Sequence, residues 1–162
     1  MVIGWDQLQR HWMGSSMITV LMGAPAAGKS TWIAHNAIGT EYVFNTEAVR
    51  VMREELDTAS FMAYARRRAI KAAESGLDLI CDGTHTIAQH RAVWLRLAQR
   101  LNVETRLIVF DTPLEIMLEH QKWRQHPAPD HVVRAHHRRM QHAKLQIQRE
   151  GWGSIEVIKR SK

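Results

Sequence analysis

The stretch from Gly23 to Thr31 reads GAPAAGKST, with Lys29 and Ser30 directly after the second glycine. Residues of these types in this order form a loop that holds phosphate. Glycines at 23 and 28 let the chain turn without a Cβ, so successive backbone N–H groups converge on phosphate oxygens at the positive end of a following helix. Lys29 would reach the β and γ phosphates of a nucleoside triphosphate, and Ser30 would offer its hydroxyl to Mg²⁺. Gly23, Ala24, Pro25, Ala26, Ala27, Gly28, Lys29, Ser30 and Thr31 are accordingly expected around ATP. The competing reading is a chance glycine loop. A strand-like run before it and a helix-like segment after it speak against that.

Phosphoryl transfer also asks for a group that orients or deprotonates the acceptor hydroxyl, and for positive charge on the phosphoryl in flight. Glu47 and Arg50 follow a short apolar run in VFNTEAVR, and their spacing sets them on one side of a first helical turn. There Glu47 would accept the hydroxyl proton and Arg50 would fork onto a phosphate of the acceptor. Alternatively, Glu47 only complements a helix dipole and Arg50 is solvated. Asp82, in LICDGTHT, falls at a strand tip, where a carboxylate organises Mg²⁺ through water, holds an active-site arginine, or simply caps the next turn. Arg124, in KWRQHPAPD, ends a helix before a proline-containing loop and could close over nucleotide phosphates. Lys122 is its neighbouring competitor, and a solvated helix-end cation is the simpler alternative.

Such residues need a frame that brings them to one edge. Short apolar runs at Ile18 to Met22, Tyr42 to Phe44, Leu77 to Cys81, Arg106 to Phe110 and Ile155 to Ile158 alternate with longer periodic segments. That alternation predicts an α/β fold, a short parallel sheet of about five strands sandwiched by helices. A helix is expected from Thr58 to Ser75, with Met62, Ala65, Ala69 and Ala72 inward and Gly76 at its end. Thr86 with Gln89 reads as a capping box before Trp94, Leu97, Ala98 and Leu101. Thr112, Pro113 and Glu115 repeat that signature, with proline at the first helical position. Asp130 is expected to cap a last helix carrying Val133, Met140, Ala143 and Ile147. Between the last two helices, residues 120–131 would form a mobile lid. Trp5, Leu8 and Trp12 fall at helical spacing, so residues 1–16 form either a docking helix or an appended tail.

Length and composition set the outer bounds. At 162 residues the chain suits one domain, taken as residues 17–162, so any acceptor site must come from that same domain. No apolar run is long enough to span a membrane, and no basic segment precedes the apolar residues 17–27 as it would in a signal peptide; a cytoplasmic protein is expected. Cys81 stands alone, so neither an internal disulfide nor a cysteine cluster for zinc is expected, and the ten histidines show no tight ligand spacing. The formal net charge of +6 favours polyanionic partners. Arg66, Arg67, Arg68 and Lys71 form one basic cluster, and Lys122, Arg124, Arg134, Arg138, Arg139, Lys144 and Arg149 form another. Together they suit a funnel for a nucleic acid backbone, each alone being only a solvated face.

Taken together, GAPAAGKST, NTEAVR, CDGTH, FDTPLEIML, KWR and the basic last helix resemble the polynucleotide 5′-kinase branch of the P-loop phosphotransferases, the phage-type kinase domain. The likeness runs from Met17 to about Ile158. It implies a P-loop kinase fold, ATP and Mg²⁺ as cofactors, and the 5′-hydroxyl end of RNA or DNA as acceptor. A ligase or phosphatase partner would then supply the other steps of end repair. By the same resemblance Lys29 and Ser30 match the phosphate and magnesium contacts, Arg50 the arginine on the acceptor's 3′-phosphate, Asp82 an active-site aspartate and Arg124 a lid arginine. The chain departs from the pattern at Glu47, where the family usually has aspartate as general base, at His85, often asparagine, and at His120, an arginine in the family. The alternatives are a small-molecule kinase of the same architecture, acting on a sugar, an antibiotic or a nucleotide-sugar, and an ATP-binding module with weak turnover.

Overall fold

A computed structural model of the chain describes residues 16–46 and 57–160. Residues 1–16, save the last, lie outside this range, as do Glu47 and Arg50. The elements in order are β1 (Met17–Met22), α1 (Lys29–Asn36), β2 (Glu41–Asn45), α2 (Thr58–Glu74), β3 (Asp78–Asp82), α3 (Ala88–Leu101), β4 (Glu104–Asp111), α4 (Leu114–Gln121), α5 (Asp130–Ala143), a 3₁₀ turn (Ile147–Arg149) and β5 (Ser154–Lys159). None of the described helices is long and apolar enough to cross a membrane.

The five strands form one sheet in the order β2-β3-β1-β4-β5, and every pairing is parallel. Alternate residues of the central strands enter opposite cores. Ile18, Val20, Met22, Leu79, Cys81, Leu107 and Val109 pack on one face with Phe61 and Ala65 of α2, Trp94 and Leu97 of α3 and Met140 of α5. Leu21, Ile80, Ile108 and Phe110 pack on the other with Met117 of α4 and Val133 of α5. Burial on both faces is why these strands read as unbroken apolar runs rather than as alternating ones.

Helix starts differ from the expectation. Thr86 caps nothing: α3 begins at Ala88 with Ile87 in the cap position, and the Thr86 hydroxyl pairs with His136 Nδ1 at 3.0 Å. Thr112 is likewise not a cap, because its hydroxyl donates to the Ala27 carbonyl at 2.8 Å; Pro113 stands at the cap and α4 begins at Leu114. Asp130 is the first residue of α5, after Pro129, and its side chain makes no cap bond; its charge still complements the helix dipole. Ile147 belongs to the separate 3₁₀ turn, though it is buried as expected. Tertiary hydrogen bonds outbid the local cap where a threonine hydroxyl faced a better partner.

The sheet order reverses at β1, with β3 on one side and β4 on the other. In open parallel sheets the crevice at the carboxyl ends of the strands beside such a reversal receives the ligand. The 23–31 loop, the ends of β2 and β3, and the residue after β5 all emerge there.

Candidate functional site

A cavity of about 290 Å³ opens at this edge. Its walls are Pro25, Ala26, Gly28, Lys29, Ser30 and Thr31 from the loop and the start of α1, Asn45, Asp82, Gly83 and Thr84 from the ends of β2 and β3, His120 and Arg124 from the end of α4 and beyond, and Arg160 after β5.

The loop is held by tertiary bonds. Gly23 N–H donates to the Thr84 carbonyl at 3.0 Å, and the Thr112 hydroxyl holds Ala27. Lys29 Nζ arches back to the carbonyls of Gly23 at 2.8 Å and Ala24 at 3.0 Å. Gly28 has φ +108, a left-handed conformation that a side chain would strain, and a Cβ there would stand 2.9 Å from Arg160 Cζ. Ala24 and Ala27, expected around ATP, turn their side chains into the second core and present their backbone to the loop.

Asp82 and Asn45 are paired across β3 and β2, with Asn45 Nδ2 donating to Asp82 Oδ2 at 3.2 Å. The Thr46 hydroxyl donates to the Asp82 carbonyl at 3.0 Å. A Cβ on Gly83 would fall 2.2 Å from that hydroxyl oxygen, so the close approach of the two strand ends demands glycine. The Ser30 hydroxyl and the Asp82 carboxylate are among the hard oxygen donors of this cavity, and such donors fit Mg²⁺.

Arg124 lies just beyond α4 in an exposed loop. Buried Gln121 closes that loop by accepting the Ala128 N–H at 2.8 Å. Lys122, the competitor, is engaged with Glu119 at 2.6 Å and is not among the cavity walls. Within the second basic cluster Lys144 is paired with Asp111 at 2.7 Å. In the first, Arg68 lies over the rings of Tyr42 and Tyr64 and bonds the Tyr64 hydroxyl at 3.0 Å. Burial pushes the Asp111 carboxyl up, but Lys144 and Gln141 outweigh that and hold it below the usual aspartate value.

Behind the loop sits a buried polar hub. His85 Nδ1 bonds the Leu21 carbonyl at 2.7 Å and its Nε2 receives the Trp94 indole N–H at 3.0 Å. A carbonyl can only accept and an indole N–H can only donate, so the imidazole carries its proton on Nδ1 and is neutral. Burial, with the nearby positive charges of His90 and Lys29, lowers its pKa to about 4 against the opposing pull of the Leu21 bond. Arg91, with no exposed surface, bonds the His85 carbonyl at 2.8 Å and grips Glu150 with Nε at 3.0 Å and Nη2 at 2.5 Å. Trp152 Nε1 adds a bond to Glu150 at 2.9 Å. Burial raises the Glu150 pKa, but the bonds from Arg91 and Trp152 and the Arg91 charge outweigh it and leave the group below its usual value.

Of the residues expected from sequence, Pro25, Ala26, Gly28, Lys29, Ser30, Thr31, Asp82 and Arg124 meet at the cavity, while Gly23 lies just behind it. Asn45, Gly83, Thr84 and Arg160 join them without having been expected there, as does His120, which the sequence had marked as standing at an arginine position of the resemblance. Asn45 adjoins the NTEAVR segment and Thr84 lies in CDGTH, so their neighbours already pointed to the site. Arg160 had no such signal. His85 lies in the hub and is not one of the cavity walls.

The parallel five-stranded sheet, the glycine loop and the crevice above it define a kinase-type P-loop phosphotransferase fold. The chain belongs to the AAA_33 family, described as an AAA domain, whose profile matches residues 18–144. A chain of the Pnkp1/Rnl/Hen1 RNA repair complex superposes with a TM-score of 0.62 at 18% identity, over 82% of this chain and 46% of that one. A chain of the AvrRxo1-ORF1:-ORF2 complex with ATP gives 0.64 at 14% identity, over 97% and 61%. The Mycobacterium tuberculosis APS kinase CysC in complex with AMPPNP and APS gives 0.51 at 19% identity, over 66% and 69%. The chain thus spans about half of the repair-complex chain and three fifths of the AvrRxo1 one. No curated protein matches it.

Proposed function

We propose that this chain is an ATP-dependent polynucleotide kinase that transfers the γ-phosphoryl of ATP to the 5′-hydroxyl end of RNA or DNA. The observation that carries the reading is the meeting of the phosphate loop, Asp82 and Arg124 at one cavity. ATP lies with its phosphates along residues 25–31, where Lys29 and Arg124 meet the charge that builds on the transferring group. Ser30, and Asp82 through water, would hold Mg²⁺, which neutralises charge on the phosphate oxygens. Glu47 takes the proton from the acceptor hydroxyl as its oxygen bonds the γ-phosphorus. The bond from that phosphorus to the β,γ-bridging oxygen breaks and ADP leaves. Arg50 holds the neighbouring phosphate of the acceptor.

The nucleic acid acceptor draws support from the charge of the chain and from the exposed Arg67, Lys71, Arg134, Arg138, Arg139 and Arg149. In this reading residues 17–162 act as one domain with residues 1–16 appended, and a ligase or phosphatase partner completes end repair. A second reading, a small-molecule kinase, is favoured by the likeness in fold to an APS kinase.

The two separate on acceptor length and salt. With ATP and Mg²⁺, kcat/KM is measured on 5′-hydroxyl acceptors from a nucleoside 3′-phosphate through longer oligonucleotides, beside sugars and APS, at low and high salt. Values that climb with length and fall with salt support the polynucleotide. Values independent of both, or phosphate on a small molecule alone, support the second reading instead.

A further inference from the structure

Arg160 comes to the cavity from the far side of the sheet. The pairing of Asp111 with Lys159 ends β5 level with β4, so the next residue emerges at the ligand edge. Its guanidinium lies against the backbone of Gly28, where an added Cβ would find Cζ at 2.9 Å and Nε and Nη2 at 3.2 Å. Among the described residues Arg160 makes no salt bridge, and Asp82 is the one carboxylate in a cavity wall that also holds Lys29, Arg124 and Arg160. Gly28 is also the N-cap of α1, whose dipole opposes a cation. A cation held there beside other cations, with no carboxylate paired to it among the described residues, is a place that an anion would complete.

We propose that Arg160 is a phosphate clamp of the donor nucleotide, forking onto the polyphosphate from the β5 side while Arg124 approaches from the loop after α4. This rests on the reading of the cavity as the ATP site and extends it to a residue outside the phosphate loop and the lid. The planar fork of arginine suits two phosphate oxygens at once, whereas lysine supplies only a point charge. The polyphosphate is favoured over the base because the guanidinium stands at the loop's own backbone, where phosphate oxygens must come.

Binding of ATP and of inorganic tripolyphosphate, each with Mg²⁺, is measured by calorimetry on the wild type, Lys29→Ala, Arg160→Ala and Arg160→Lys, with ligand-free melting curves as a check on folding. The expected result is a loss of about 10- to 100-fold for both ligands in Arg160→Ala, the range for a charged hydrogen-bonding partner, with part of it recovered in Arg160→Lys. The lysine variant keeps the charge and the stem, so its partial loss carries the test if the alanine variant does not fold. Tripolyphosphate binding unchanged in the Arg160 variants overturns the proposal; loss of ATP affinity alone would then assign Arg160 to the base. A wild type that binds neither ligand would instead overturn the reading of the cavity itself, and the clamp with it.

Discussion

Lowering the pH should destabilise this protein through His85 before its carboxylates titrate. The imidazole is 3% exposed, donates from Nδ1 to Leu21 and accepts at Nε2 from Trp94, so a second proton would set two donors against each other. Its pKa in the fold is about 4, against 6.5 for the free side chain. Between these values the unfolded chain binds the proton and the folded one does not, so stability is fully present above about pH 6.5 and falls as the pH drops towards 4. For one such proton the loss between pH 7 and pH 5 is about 2 kcal/mol, a substantial part of the stability of about 5–15 kcal/mol usual for a domain. With a urea slope of about 2 kcal/mol per molar, the midpoint should move down by roughly 1 M. Glu150 and Asp111, held below their usual values, lose their contribution only below about pH 4.5 and do not enter this window. The assay is urea denaturation from pH 7 to pH 5 on the wild type and on His85→Asn, since asparagine tolerates the φ of +45 found there. The variant should be less stable throughout but lose most of the pH dependence. Parallel slopes in the two proteins, or a wild-type midpoint that does not move, would refute the tautomer and the burial argument together.

Three further outcomes follow from the same geometry. Glu150→Ala strands the buried Arg91 charge and should cost about 3–5 kcal/mol in urea denaturation, while Arg91→Met with Glu150→Leu should recover much of that; a loss under about 1 kcal/mol in the single variant would contradict the hub. Thr112→Val leaves the buried Ala27 carbonyl without its donor, so stability should fall by about 1–3 kcal/mol and ATP affinity with it, and unchanged values in both would show the loop is held by other means. Glu47→Gln should cut turnover by roughly 10²- to 10⁴-fold with ATP affinity retained, the range for loss of a general base; unchanged turnover would remove Glu47 from the reaction.

The middle of the sheet was legible because β1, β3 and β4 are buried on both faces, which leaves largely apolar runs such as Ile18 to Met22. Strand ends were less so: Glu41, Asp78, Glu104 and Asp111 extend the ladder beyond the apolar residues, since pairing by backbone hydrogen bonds does not require an apolar side chain. The phosphate loop was legible from residue type and spacing alone. Arg160 was not, because its place follows from the register of β5 on β4 rather than from any neighbour in sequence. Thr86 and Thr112 show the same limit in reverse: each had the right local signature for a cap, and each is taken by a partner far along the chain. Arg91 and Glu150 look like ordinary surface charges in the sequence, and only the fold brings them together in the interior.

Transfer of label from γ-labelled ATP tests the central claim most directly. Purified protein with Mg²⁺ is given matched oligonucleotides ending in a 5′-hydroxyl or a 5′-phosphate, with Lys29→Ala alongside. Label on the 5′-hydroxyl strand alone, abolished in Lys29→Ala, is the predicted result. ATP binding in the wild type with no label on either strand would contradict it.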